Sequence, residues 1–130
     1  MNLSERVHFL GGKTKVEVLQ AFKSCYCSVV SSRSEAFGFT VIEAMSVGTC
    51  VIGANNTGIK EIIIDNETGL LFETDNYLDL ALKIKSILID EGFRNKYALE
   101  GFKHFMNNFE NTYAINRDLT FFQTLIKDEK

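Results

Sequence analysis

The chain has 130 residues, 45% of them apolar and 24% charged, which is the size and balance of one globular domain with a continuous core. A formal net charge of −3 gives no electrostatic case for nucleic-acid binding. The apolar runs are too short to span a bilayer, and Met1–Arg6 does not read as a signal peptide.

In chain order, Arg6–Leu10 alternates and meets Gly11-Gly12, predicting a short strand and a turn. Thr14–Ser24 carries Val16, Leu19, Ala21 and Phe22 at near-helical spacing. Tyr26–Val30 reads as a strand that ends in the polar stretch Ser31-Ser32-Arg33-Ser34. Gly38–Val47 reads as a helix closed by Gly48. Cys50–Gly53 predicts a strand, Asn55–Gly58 a turn, Lys60–Ile64 a short helix and Gly69–Phe72 a further strand. Such alternation predicts an α/β fold, a Rossmann-like parallel sheet flanked by helices. The last third is helical. Tyr77, Leu80, Ala81, Ile84, Ile87 and Leu88 form an amphipathic stripe. Phe93, Tyr97, Gly101, Phe105 and Phe109 continue at intervals of four, and Ile115, Leu119, Phe122 and Ile126 mark a terminal helix. The aromatic stripe reads as core or docking surface.

The three cysteines, Cys25, Cys27 and Cys50, have no metal-ligand spacing. Their odd number without a signal peptide points to reduced, buried thiols in a reducing compartment. On a strand, Cys25 and Cys27 would face the same way.

The stretch with chemical content is Ser32–Gly48. A strand gives way to a loop of small residues, and a helix begins near Gly38. Its first N–H groups and the positive end of its dipole face the loop, a setting that suits phosphate. Gly38 lets a ligand come close to the backbone. Glu43 is the only charged residue between Phe37 and Val47, so its carboxylate must reach solvent, meet a cation or accept hydrogen bonds from a ligand. Glu35 precedes the helix. One carboxylate on each flank of an N–H-rich helix start suits a diphosphate with hydroxyl-bearing rings at both ends.

Glu35 and Glu43, with seven residues between them in SEAFGFTVIEAMSVGTCVIG, resemble the signature of glycosyltransferase family four. That is a retaining family of the two-Rossmann-domain (GT-B) type. Thr57-Gly58-Ile59-Lys60-Glu61, Asn66-Glu67-Thr68-Gly69-Leu70-Leu71 and Val7-His8-Phe9-Leu10-Gly11 extend the resemblance to about 100 of the 130 residues. The resemblance implies that residues 1–130 are one partial nucleotide-sugar-binding domain, the C-terminal half of such an enzyme. It implies a nucleoside-diphosphate sugar donor and transfer of a hexosyl group with retention, in polysaccharide or glycolipid synthesis. By position, Glu43 would hold the ribose hydroxyls and Glu35, as catalytic residue, the transferred sugar. Backbone N–H groups of Phe37, Gly38 and Phe39 would contact sugar and diphosphate, and Leu10 and Gly11 would line the base pocket. No metal or other cofactor is implied. The partners implied are the donor, an N-terminal acceptor domain or partner chain, and self-association. The implied location is cytoplasmic, with peripheral membrane attachment of the full-length enzyme left open.

The sequence departs from the family pattern at several positions. Cys50 and Ser31 stand where Pro is usual, Ala36 replaces a Gly beside Glu35, and Thr57 replaces the first Gly of a pair. The family's diphosphate-gripping Arg and Lys have no motif match in Lys13, Lys15 or Arg33. These departures leave a second reading, a non-catalytic remnant or regulatory module that binds nucleotide-sugar, and they imply that the chain alone is inactive. A glycosidase would need its two carboxylates across a cleft, which one loop-helix segment supplies less naturally. In the family's strand order, Arg6–Leu10 would be the third strand, separated from Tyr26–Val30 by two strands that this chain does not contain. The expectation is therefore that Arg6–Leu10 pairs directly with Tyr26–Val30 or that the chain associates to complete its sheet.

Overall fold

Val51–Ala54 is buried at all four positions, as expected of a strand covered on both faces. It is β2, the centre of the sheet in the computed structural model, which describes residues 2–111. β1 (Ser28–Val30) and β3 (Leu70–Phe72) flank it in the order β1-β2-β3. Both pairings are parallel, with Ser28 opposite Val51 and Ile52 opposite Leu70. The helices are α1 (Lys15–Ser24), α2 (Phe39–Ser46), α3 (Thr57–Lys60), α4 (Tyr77–Ile89) and α5 (Glu91–Asn108). α2 connects β1 to β2 and α3 connects β2 to β3, the crossover arrangement that parallel strands require. The predicted Rossmann-like α/β class is the one observed.

The core joins sheet and helices. Val41, Ile42, Ala44 and Met45 of α2, Val51 and Ile52 of β2, and Ile59 and Ile63 around α3 are almost fully buried. α5 packs across α2 and buries Tyr97, Gly101 and Phe105, the middle three members of the predicted stripe. Its outer members differ, since Phe93 is exposed and Phe109 only partly covered. On α4 the inward positions are Leu80, Ile84 and Ile87. Tyr77, Ala81 and Leu88, predicted to share that face, are exposed, and Leu78, Leu82 and Ile89 are exposed as well.

Several boundaries move for identifiable reasons. Arg6–Leu10 is not a strand. Ser4–Arg6 forms a 3-10 turn, and Val7, Phe9 and Leu10 are exposed, Phe9 to 96%. Among the described residues no strand lies beside it, and an extended segment without a ladder partner is not a strand. The expected direct pairing with β1 is therefore not made, and β1 stands at one edge of the sheet. β1 begins at Ser28 and not at Tyr26, because Cys25 caps the end of α1 by donating its N–H to Ala21 and Phe22 carbonyls. Cys25 is consequently exposed while Cys50 is buried, so burial of all three thiols is not observed. α3 starts three residues before the predicted Lys60. Asn56 is its N-cap, with a side chain that accepts from the Ile59 N–H, so the turn-forming residues 55–58 initiate the helix. The predicted helix over Ile115–Ile126 lies outside the described residues.

Candidate functional site

The loop between β1 and α2 holds Glu35 and is braced from beneath by the start of α3. The Asn56 side-chain amide donates to the Ser32 carbonyl at 2.6 Å. Gly58 lies directly under the Glu35–Ala36 peptide; a Cβ built on it would fall 2.0 Å from the Glu35 carbonyl oxygen. From the other side Arg33 donates to Asp75 at 2.7 Å, which ties the loop to the segment after β3. Both partners of that pair are well exposed, so it adds little stability. Glu35 itself is half-buried, and Phe37 is exposed. The Phe37 and Phe39 rings lie 4.7 Å apart between centroids.

α2 opens without a side-chain cap. Gly38 is its N-cap residue, at φ 81°, and its carbonyl accepts from the Val41 and Ile42 N–H groups. By contrast, Thr14, Asn56, Asn76 and Asp90 cap α1, α3, α4 and α5 with side-chain oxygens. The N–H groups that begin α2 are therefore met by no capping side chain of their own helix. Gly38 also meets a packing requirement that the sequence did not reveal. Its left-handed φ disfavours any Cβ, and a Cβ would lie 2.8 Å from Ile62 Cδ1.

Glu43 sits in the middle of α2 with its side chain 10% exposed, and it forms an ion pair with the Nζ of Lys15. Its helix neighbours Ile42 and Ala44 are fully buried. A carboxylate in that setting needs a cation or hydrogen-bond donors, and Lys15 supplies one. Lys15 is the first residue of α1, whose start is fixed by reciprocal bonds between Thr14 and Glu17. Its side chain is half exposed. Sequence reasoning left this lysine without a role. The signal available was the four-residue run Thr14-Lys15-Val16-Glu17, which opens a helix with a capping box and so directs Lys15 outward from the first turn.

Leu10 and Gly11 line a cavity of about 390 Å³ together with Lys13, Glu17, Val18, Ala21 and Phe22. It adjoins the first turn of α1, which carries Lys15. A larger cavity, about 620 Å³, opens at the opposite end of α2 beside Val47, Gly48, Arg94 and Phe102. It contains neither Glu35 nor Glu43. Of the predicted residues, Glu35, Phe37, Gly38, Phe39 and Glu43 thus share one loop-helix segment, while Leu10 and Gly11 lie against α1. Among the described residues no group of three His, Cys, Asp or Glu side chains converges as a metal site. No described helix is long and apolar enough to cross a membrane.

Burial pushes the Cys50 thiol up to about 12 and also raises Cys27 and Cys25. Thiols held protonated in this way are poor nucleophiles, so the cysteines contribute no reactive group to the site.

A family model described as "Glycosyl transferases group 1" matches residues 1–104. An uncharacterized glycosyltransferase of Methanocaldococcus jannaschii is 38% identical over 108 residues, covering 83% of this chain and 30% of that protein. Sucrose-phosphate synthase from Thermosynechococcus elongatus superposes with a TM-score of 0.82 at 29% identity, over 97% of this chain and 32% of the other. Anabaena Alr3699/HepE, solved in complex with UDP-glucose, superposes with a TM-score of 0.81 at 25% identity, over 96% of this chain and 33% of the other. The chain spans about a third of the length of each of these proteins.

Proposed function

Since the chain belongs to the group 1 glycosyl transferases, we propose that it forms the donor-binding part of an enzyme transferring a hexosyl group from a nucleoside-diphosphate sugar. The observation that carries this reading is the start of α2, uncapped by any side chain and flanked by Glu35 on its loop and Glu43 on its body. Backbone N–H groups of Phe37, Gly38 and Phe39 hold the diphosphate, favoured by the positive end of the helix dipole. Glu43 accepts from the ribose hydroxyls, and Glu35 accepts from hydroxyls of the sugar. The base rests in the cavity at Leu10 and Gly11. Neutralising the leaving diphosphate with fixed N–H groups lowers the barrier without a metal ion. Transfer proceeds with retention, in polysaccharide or glycolipid synthesis, with acceptor contacts supplied by another domain or chain. The Anabaena structure, which holds UDP-glucose, supports a uridine nucleotide as the first ligand to try.

Calorimetric titration of the chain with UDP, GDP and UDP-glucose tests the proposal. Saturable binding of at least one of them, displaced by the free diphosphate, is the expected result. Absence of binding by all three at millimolar concentration would remove the donor-site assignment.

A further inference from the structure

Glu43 is aimed by a residue from another helix. Its side chain is only 10% exposed, with one oxygen, Oε1, engaged by the Lys15 Nζ. An ionised carboxylate offers about four acceptor positions, so this contact leaves the second oxygen available to a pair of vicinal hydroxyls. Lys15 comes from the first turn of α1, and that turn is locked by the Thr14–Glu17 capping box, with the Thr14 N–H donating to Glu17 Oε2 at 2.8 Å. The ammonium therefore reaches Glu43 from a fixed base while half of its side chain stays in solvent. The same end of α1 borders the cavity lined by Leu10, Gly11 and Glu17.

We propose that Lys15 is a positioning residue for nucleoside recognition, holding the Glu43 carboxylate oriented for the ribose. The proposal rests on the ribose role given to Glu43 above. Lys15 acts through that carboxylate and not on the phosphates, so it affects a nucleoside and its diphosphate alike.

The test is calorimetry of uridine and UDP binding to the full chain and to Lys15→Met, Lys15→Arg, Glu43→Gln and the Lys15→Met/Glu43→Gln double variant. Lys15→Met is expected to weaken both ligands by the same factor, roughly threefold to tenfold, as suits a pair with one buried and one exposed member. Lys15→Arg restores most of the loss, and in the double variant the two losses do not multiply. Lys23→Met, the same charge change at the far end of α1, leaves both affinities unchanged. A larger loss for UDP than for uridine would overturn the proposal, because it would place Lys15 on the diphosphate. Unchanged binding by Lys15→Met would overturn it too. If wild type and Glu43→Gln bind uridine equally, the ribose role of Glu43 itself fails, and the inference fails with it.

Discussion

The carbonyl oxygen of Glu35 occupies the position that a side chain on Gly58 would need, 2.0 Å from an ideal Cβ. The loop carrying one site carboxylate is thus seated directly on the backbone of α3, and its height above the sheet is set by the absence of one methyl group. Gly58→Ala is expected to lift the Glu35–Ala36 peptide and to cost roughly 1–3 kcal/mol, the usual range for overpacking. Urea unfolding gives the stability change. Donor binding should fall in the same variant. A Gly58→Ala protein with wild-type midpoint would mean that the loop yields freely.

Glu43→Gln keeps the shape of the side chain and removes its charge. Loss of a charged acceptor is expected to lower nucleotide affinity by about 1.5–3 kcal/mol, roughly 10-fold to 150-fold in Kd. The fold should survive, because the Lys15 side chain is half exposed and the Gln amide oxygen can still accept from it. Titration with UDP checks the affinity, and equal Kd values in the two proteins would refute the ribose assignment.

Glu35 precedes the N-terminus of α2, whereas Glu43 lies on the helix body, about one turn along. Glu35→Gln is therefore expected to weaken UDP-glucose while leaving UDP nearly unchanged. Competition titrations with the two ligands separate the cases. Parallel losses would show that the two carboxylates do not divide the donor between them.

The thiols give a prediction in pH. Burial raises Cys50 from an ordinary value of 9.0 to about 12, so the native state keeps a proton that the unfolded chain loses first. Its contribution to stability is complete below pH 9 and declines as pH rises from about 9 towards 12. Cys50→Ala should flatten that part of the stability profile. Mass spectrometry after native alkylation at neutral pH should find Cys25 modified first, Cys27 slowly, and Cys50 only on unfolding, following their exposure. Early labelling of Cys50 would contradict its burial.

The sheet and the β1-loop-α2 segment were legible in the sequence because their signals are local. Short apolar runs bounded by small polar residues gave β1, β2 and β3 within one or two residues, and Gly48 marked the end of α2. The errors arose where tertiary context decides. The Val7–Leu10 run has the composition of a strand, but pairing makes a strand, and no described strand is beside it. On α4, Tyr77 and Leu88 fit the helical period, yet the sheet covers only the arc of Leu80, Ile84 and Ile87. At the site, residue types and spacing singled out Glu35 and Glu43, which lie on one loop-helix segment around the start of α2. They did not show that Lys15 meets Glu43, since that contact joins residues 28 apart through the packing of α1 on α2. Nor did they show that Gly38 is required by Ile62, because the contact depends on how α3 is seated.

That last contact yields the sharpest test. Gly38 and Gly48 begin and end the same helix with nearly equal positive φ, 81° and 73°. An Ala at either should cost roughly 1–2 kcal/mol for the left-handed backbone. They differ in what the new methyl meets. At Gly48 nothing lies within 4 Å, whereas at Gly38 the Ile62 Cδ1 is 2.8 Å away. Gly38→Ala should therefore be the more destabilising substitution, and it alone should weaken UDP binding, since it displaces the first N–H groups of α2. The excess is traceable to one atom. Ile62→Val deletes that Cδ1 at a cost of about 0.5–1.5 kcal/mol in a buried site, so Gly38→Ala should be better tolerated in the Ile62→Val background than in wild type. A double-mutant cycle by urea unfolding measures this coupling. Additive losses would show that the Gly38 requirement lies in the backbone dihedral alone, and that Ile62 does not set the start of α2.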